Sequence, residues 1–155
     1  MTTKDEFVFL PLGGVGEIGM NLALYVYGPA SKRQWIMVDC GVTFAGLDLP
    51  GIDLVLPDIS FIEAQLANLK AIIITHAHED HYGALNDLWP SLKVPVYASG
   101  FTAGMLEAKR NYEGTRAEIP ITPFKAGDRI NVGPFEIEAV GVNPSIPEPM
   151  SLVIR

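Results

Sequence analysis

The chain has 155 residues, a formal net charge of -7 and 48% apolar residues. That length and apolar content suffice for one domain with a sizeable core and exclude a disordered chain. The acidic balance excludes gripping nucleic acid through a broad basic face, so the phosphates of any nucleic-acid ligand must be met locally, by metal ions or by basic groups outside this segment.

In chain order, Phe7 to Leu12 reads as a strand ending in Gly13-Gly14-Val15-Gly16. Met20 to Tyr27 and Gln34 to Val38 read as strands joined by a turn near Gly28 to Lys32, and Asp39-Cys40-Gly41 closes the third strand. Residues 42–58 are rich in Gly, Pro and Asp and read as a loop. Phe61, Ile62 and Leu66 stand at helical spacing, which predicts a short helix over Phe61 to Asn68. Leu69 to Thr75 holds an Ala-Ile-Ile-Ile run, the pattern of a buried strand. A second helix is expected after Asp80, ending before Pro90.

Val94 to Ala98 reads as another strand and Gly100 to Asn111 as a helix with apolar Phe101, Met105 and Leu106. From Ile121 the pattern turns all-β: Ile130 to Val132, Phe135 to Val142 and Ser151 to Ile154. The whole predicts an α/β chain with mostly antiparallel strands and outer helices. The sequence stops at Arg155 within an apolar strand, so a piece of a longer protein is expected. The single cysteine, Cys40, excludes an internal disulfide and is expected to pack as a small apolar residue. The opening MTTKDEFVFLPLGG lacks a basic segment followed by a long apolar run, and no apolar stretch is long enough to span a bilayer. A cytoplasmic location without a membrane partner is expected.

The chemistry concentrates in Thr75-His76-Ala77-His78-Glu79-Asp80-His81, which holds all three histidines of the chain. They follow directly on the buried strand, a rigid support of the kind a metal site needs. Neutral imidazoles suit zinc, iron or manganese, and a carboxylate adds charge. His76 and His78, two apart, can share one ion from an extended segment, while Asp80 and His81 can face a second nearby. The bland alternative, surface-loop histidines, suits an isolated histidine better than this spacing.

The hexad His76-Ala77-His78-Glu79-Asp80-His81 resembles the signature of the metallo-β-lactamase superfamily. Pro11 to Asn21, Val38 to Gly41, Leu49 to Asp53, Leu56 to Asp58, Ile74 to Leu85 and Ser145 to Glu148 are similar to segments of the ribonuclease J family, within the β-CASP group. The resemblance implies the N-terminal portion of an αββα sandwich, here a partial domain over residues 1–155 that stops before a β-CASP insertion, with a C-terminal domain to follow. It implies an RNA substrate, cut by 5′→3′ exonuclease and endonuclease action through attack of a metal-activated hydroxide on a phosphodiester, and a homo-oligomer when intact. It implies two zinc ions, with manganese or another divalent ion as a substitute: His76 and His78 on the first, Asp80 and His81 on the second. Asp80 is further expected to orient the hydroxide as a catalytic group, and Asp39 to orient ligands from behind. A turn acid at the strand end is the alternative for Asp39. Gly13 to Gly19 is not a Walker loop, because no Gly-Lys-Ser/Thr follows, and reads as a tight turn.

One position departs from the family pattern. Where the family carries His-Ser-Ile-Pro, with that histidine on the first metal, this sequence reads Pro144-Ser145-Ile146-Pro147, and proline has no donor nitrogen to offer. No histidine follows His81, so about half of a two-metal ligand set is present. The isolated chain is expected to hydrolyse nothing at a useful rate and to bind metal weakly. Rival expectations are another hydrolase of the superfamily, acting on a thioester or β-lactam, and a catalytically dead module that binds RNA or another protein.

Overall fold

The computed structural model describes residues 4–114, 118–143 and 145–155. Strand β1 (Glu6–Gly13) and strand β2 (Leu22–Gly28) form an antiparallel hairpin, and β2 pairs in turn with β3 (Gln34–Val38). Alternation along β2 sends Leu22, Leu24 and Val26 to one core and Tyr25 to the opposite face. Strand β3 then passes to a parallel neighbour, β6 (Leu69–Ile73), through a short hairpin of β4 (Thr43–Phe44) and β5 (Leu54–Val55) and the one-turn helix α1 (Ser60–Glu63).

Beyond β6 the sheet continues in parallel to β7 (Val96–Ala98) and β8 (Ile121–Pro123), giving the order β1-β2-β3-β6-β7-β8. The crossovers are α2 (Glu79–Tyr82) with α3 (Leu85–Leu92), and then α4 (Gly100–Glu113). Pro123 sits on the edge strand β8, where a missing backbone donor costs no ladder bond. A second sheet follows, ordered β11-β10-β9, from β9 (Arg129–Val132), β10 (Phe135–Gly141) and β11 (Met150–Ile154). Antiparallel neighbours (β1–β2, β2–β3, β4–β5, β9–β10, β10–β11) outnumber parallel ones (β3–β6, β6–β7, β7–β8), as expected.

Strand β6 faces both cores. Leu69 and Ile72 pack with Ile62, Tyr82, Leu85, Leu92 and Leu106 under the helices. Ala71 and Ile73 pack with Phe124, Phe135, Ile137 and Met150 between the two sheets. The layers are therefore helices, a six-stranded sheet and a three-stranded sheet.

Three details differ from the sequence expectation. The segment 42–58 is not all loop, because Thr43 and Phe44 pair with Val55 and Leu54. The helix expected over Phe61 to Asn68 breaks into α1 and a 3-10 turn, Leu66–Asn68. The helix expected to end before Pro90 runs to Leu92 with Pro90 inside it. Proline removes one ladder bond there. Burial of Leu85 and Leu92 at the two ends outweighs that loss, and Trp89 Nε1 donates to the Val94 carbonyl at 2.9 Å. Among the described residues no helix is long and apolar enough to cross a membrane.

Candidate metal centre

The site stands where the parallel strands β3 and β6 end at their carboxyl termini, the end at which open α/β sheets hold ligands. Asp39 follows β3 and is buried, with its backbone in the left-handed region at φ 62°. Its amide donates to the Ile73 carbonyl at 2.9 Å, so the turn is locked to β6. Thr75, His76 and His78 leave β6 in extended form, and His78 sits directly before α2, which carries Asp80 and His81.

A hydrogen-bond chain decides the imidazole tautomers. Asp39 Oδ1 accepts from the Thr75 amide at 2.8 Å, and its Oδ2 lies 2.9 Å from Thr75 Oγ1. With its one proton directed at Asp39, the Thr75 hydroxyl accepts from His76 Nδ1 at 2.9 Å, which leaves a lone pair on His76 Nε2. His81 Nδ1 donates to Asp39 Oδ2 at 2.8 Å, which leaves a lone pair on His81 Nε2. Asp39 thus sets both rings, one directly and one through Thr75. Burial lowers the His81 pKa, but the hydrogen bond and charge of Asp39, with the charge of Asp80 behind them, outweigh it and hold the imidazole above its usual value. His76 is held below its usual value, first by burial and then by repulsion from His81, which favours the neutral form that metals bind.

The donors stand as two pairs. His76 Nε2 and His78 Nδ1 are 3.1 Å apart. Two imidazole nitrogens on one tetrahedral ion, with bonds of roughly 2.0–2.1 Å, are about 3.3 Å apart. Asp80 Oδ2 and His81 Nε2 are 3.5 Å apart, again the spacing of two neighbouring ligands. The rings of His76 and His81 have centroids 4.1 Å apart, so the pairs adjoin. Donor types and spacings fit divalent cations, yet among the described residues no three His, Cys, Asp or Glu side chains converge to hold an ion by themselves. Each pair offers two donors, where a tetrahedral ion takes four.

The cleft in front of these residues encloses about 460 Å³ between the sheets and is lined by Asp39, Thr75, His76 and His81, with Asn143 and Ser145 among its other residues. Pro144, between those two, lies outside the described residues. Glu148, at φ 55°, accepts from the Phe101 amide at 2.9 Å and so docks this segment on the start of α4.

Sequence reasoning missed three contributors. Thr75 links Asp39 to His76, Gly41 lets α2 approach, and the Asn21 carboxamide lies 3.1 Å from Asp80 Oδ2. The first two adjoin singled-out residues, and Asn21 closes the glycine-rich stretch. Cys40 is fully buried and packs in the helix-side core, as expected. Burial, with Asp39 and Asp87 as negative neighbours, pushes its thiol pKa far up, so it offers no thiolate ligand.

A mixed sheet backed by helices and faced by a second sheet, with a histidine-and-aspartate cluster at its strand ends, defines a metallo-hydrolase fold. The chain belongs to the metallo-beta-lactamase superfamily, whose family description it matches over residues 19–149. It is 77% identical over all 155 residues to ribonuclease J of Sinorhizobium meliloti, and 38% identical over 146 residues to ribonuclease J of Corynebacterium glutamicum. It spans 28% and 19% of those proteins' lengths, while the matches cover 100% and 93% of this chain. Among solved structures, a subclass B3 metallo-β-lactamase with an active-site glutamic acid matches with a TM-score of 0.62 at 19% identity, covering 97% of this chain and 56% of that one. A protein of unknown function from Enterococcus faecalis matches at 0.71 and 20% identity, covering 97% and 41%.

Proposed function

We propose that this chain is the opening part of the metallo-β-lactamase-type domain of a ribonuclease J-like enzyme that cleaves RNA phosphodiesters, with a β-CASP domain and a C-terminal domain beyond it. The observation that carries this reading is the 77% identity to a ribonuclease J over every residue of the chain. The donor pairs support its metal-dependent part: His76 with His78 would hold one divalent ion and Asp80 with His81 the other, zinc being the common choice for imidazole sites. Bound there, such ions would polarise the scissile phosphoryl group and lower the pKa of water.

The chain's own residues do the rest. Asp39 and Thr75 hold His76 and His81 with their lone pairs toward the cleft. Asp80 keeps one carboxylate oxygen free of the Asn21 bond, placed to accept a proton from an attacking water. Formal charge is -7, so the basic groups that grip RNA would come from the rest of the whole protein, which would act in the cytoplasm as a homo-oligomer.

The test is hydrolysis by the complete reading frame containing this chain, assayed on 5′-monophosphorylated RNA and on a thioester. RNA cleavage is expected, abolished by Asp80→Ala, and thioester hydrolysis is not; the reverse pattern sinks the ribonuclease reading. The 155-residue chain alone should show no useful hydrolysis and only weak zinc binding by calorimetry. A second reading, a catalytically dead RNA- or protein-binding copy, is favoured by one observation, Pro144 at a ligand position. Inactivity of the complete frame on RNA, with binding retained, would select it.

A further inference from the structure

The glycine-rich stretch before β2 is absorbed neither by a phosphate site nor by the donor pairs. It ends at Asn21, whose backbone amide donates to the Asp80 carbonyl at 2.9 Å. The Asn21 side-chain nitrogen lies 3.0 Å from that same carbonyl, 3.1 Å from Asp80 Oδ2 and 3.3 Å from His81 Nε2. Two of these neighbours are pure acceptors, which fixes the carboxamide with its nitrogen toward Asp80. Its oxygen points the other way, onto Gly14, at φ 80°, where any Cβ would collide with it. The chain therefore leaves out a side chain at residue 14 and fills the space with a polar group from residue 21.

We infer that Asn21 is a positioning residue for the Asp80–His81 pair: its carboxamide nitrogen, set against both Asp80 Oδ2 and His81 Nε2, holds these two donors at the 3.5 Å spacing in which they would share a divalent cation. This deepens the metal reading above and rests on it. His81 already donates Nδ1 to Asp39, so its Nε2 is a lone-pair nitrogen. Asp80, on a four-residue helix with its side chain about a third exposed, has no side-chain partner besides Asn21 and His81 among the described residues. A carboxylate free to rotate loses ordering entropy when it binds an ion, and the Asn21 bond removes most of that cost beforehand.

The probe is zinc, titrated into the ¹⁵N-labelled chain while the imidazole nitrogens are followed by NMR. In the unsubstituted chain His81 and the His76–His78 pair should both shift. Asn21→Ala and Asn21→Leu, the latter filling the same volume without a donor, should each weaken the His81 response by about 10-fold or more, with the His76–His78 response changed less than about two-fold. Equal affinity at His81 in all three chains overturns the proposal and leaves the metal reading standing. Recovery in Asn21→Leu, or equal losses at both pairs, assigns Asn21 a packing role and also overturns it. Absence of any histidine response in the unsubstituted chain overturns the metal reading itself, and this inference with it.

Discussion

Asp39 accepts a backbone conformation that L-residues avoid, at a cost of about 1 kcal/mol, because its carboxylate then meets Thr75 and His81 together. The turn continues into Gly41, where only the lack of a side chain lets the Asp80 carbonyl approach. Any Cβ there would push α2 away from β3. Gly41→Ala should therefore destabilise the chain by about 2 kcal/mol and lower Tm by roughly 4–8 °C in a thermal melt, a large effect for a single methyl group. An unchanged Tm would show that α2 shifts freely.

At the scale of elements, β6 couples the two cores to the site. Ile72 is fully buried beneath the helices, while Ile73 beside it points between the sheets. Ile72→Ala should cost about 3 kcal/mol, read from chemical denaturation, because a strand held on both sides cannot collapse into the space left behind. Much of this level was legible in the sequence. The run Leu69 to Thr75 reads as buried because both faces are apolar, and the histidines after it stand where the strand releases the chain. Pairings between distant residues, such as Asn21 with Asp80, leave no periodic trace and were not legible. Helix ends were misjudged for a related reason: at Pro90 the local preference is overruled by contacts made elsewhere, at Leu85 and Leu92.

Taken whole, the molecule has a wide sheet faced by a narrow one. Among the described residues strand β11 has only β10 as a sheet neighbour, and beyond Met150, whose amide donates to the Thr75 carbonyl at 3.1 Å, its outer edge is unpaired. On the face of the wide sheet turned toward the narrow one, Phe7 and Phe9 lie 52% and 51% exposed around Tyr25. An open edge beside uncovered aromatics favours association. The 155-residue chain should elute from size exclusion as concentration-dependent oligomers. Val153→Lys, on the outer face opposite Glu138, should shift it toward monomer. A monomer at every concentration would show that the edge is already protected. The layer order was legible from the resemblance, whereas the imbalance in sheet width was not, since it depends on which strands share a sheet.

The short helix α2 has one more bearing on the whole. Its carbonyls do not wait for solvent: Glu79, Asp80 and His81 accept from the amides of Val42, Asn21 and Cys40, and the Cys40 carbonyl accepts from Ala84. Three stretches distant in sequence are thereby stitched into one cooperative unit. The loops that look least regular cannot loosen singly, and the donor pairs will lose their arrangement only when the core itself melts.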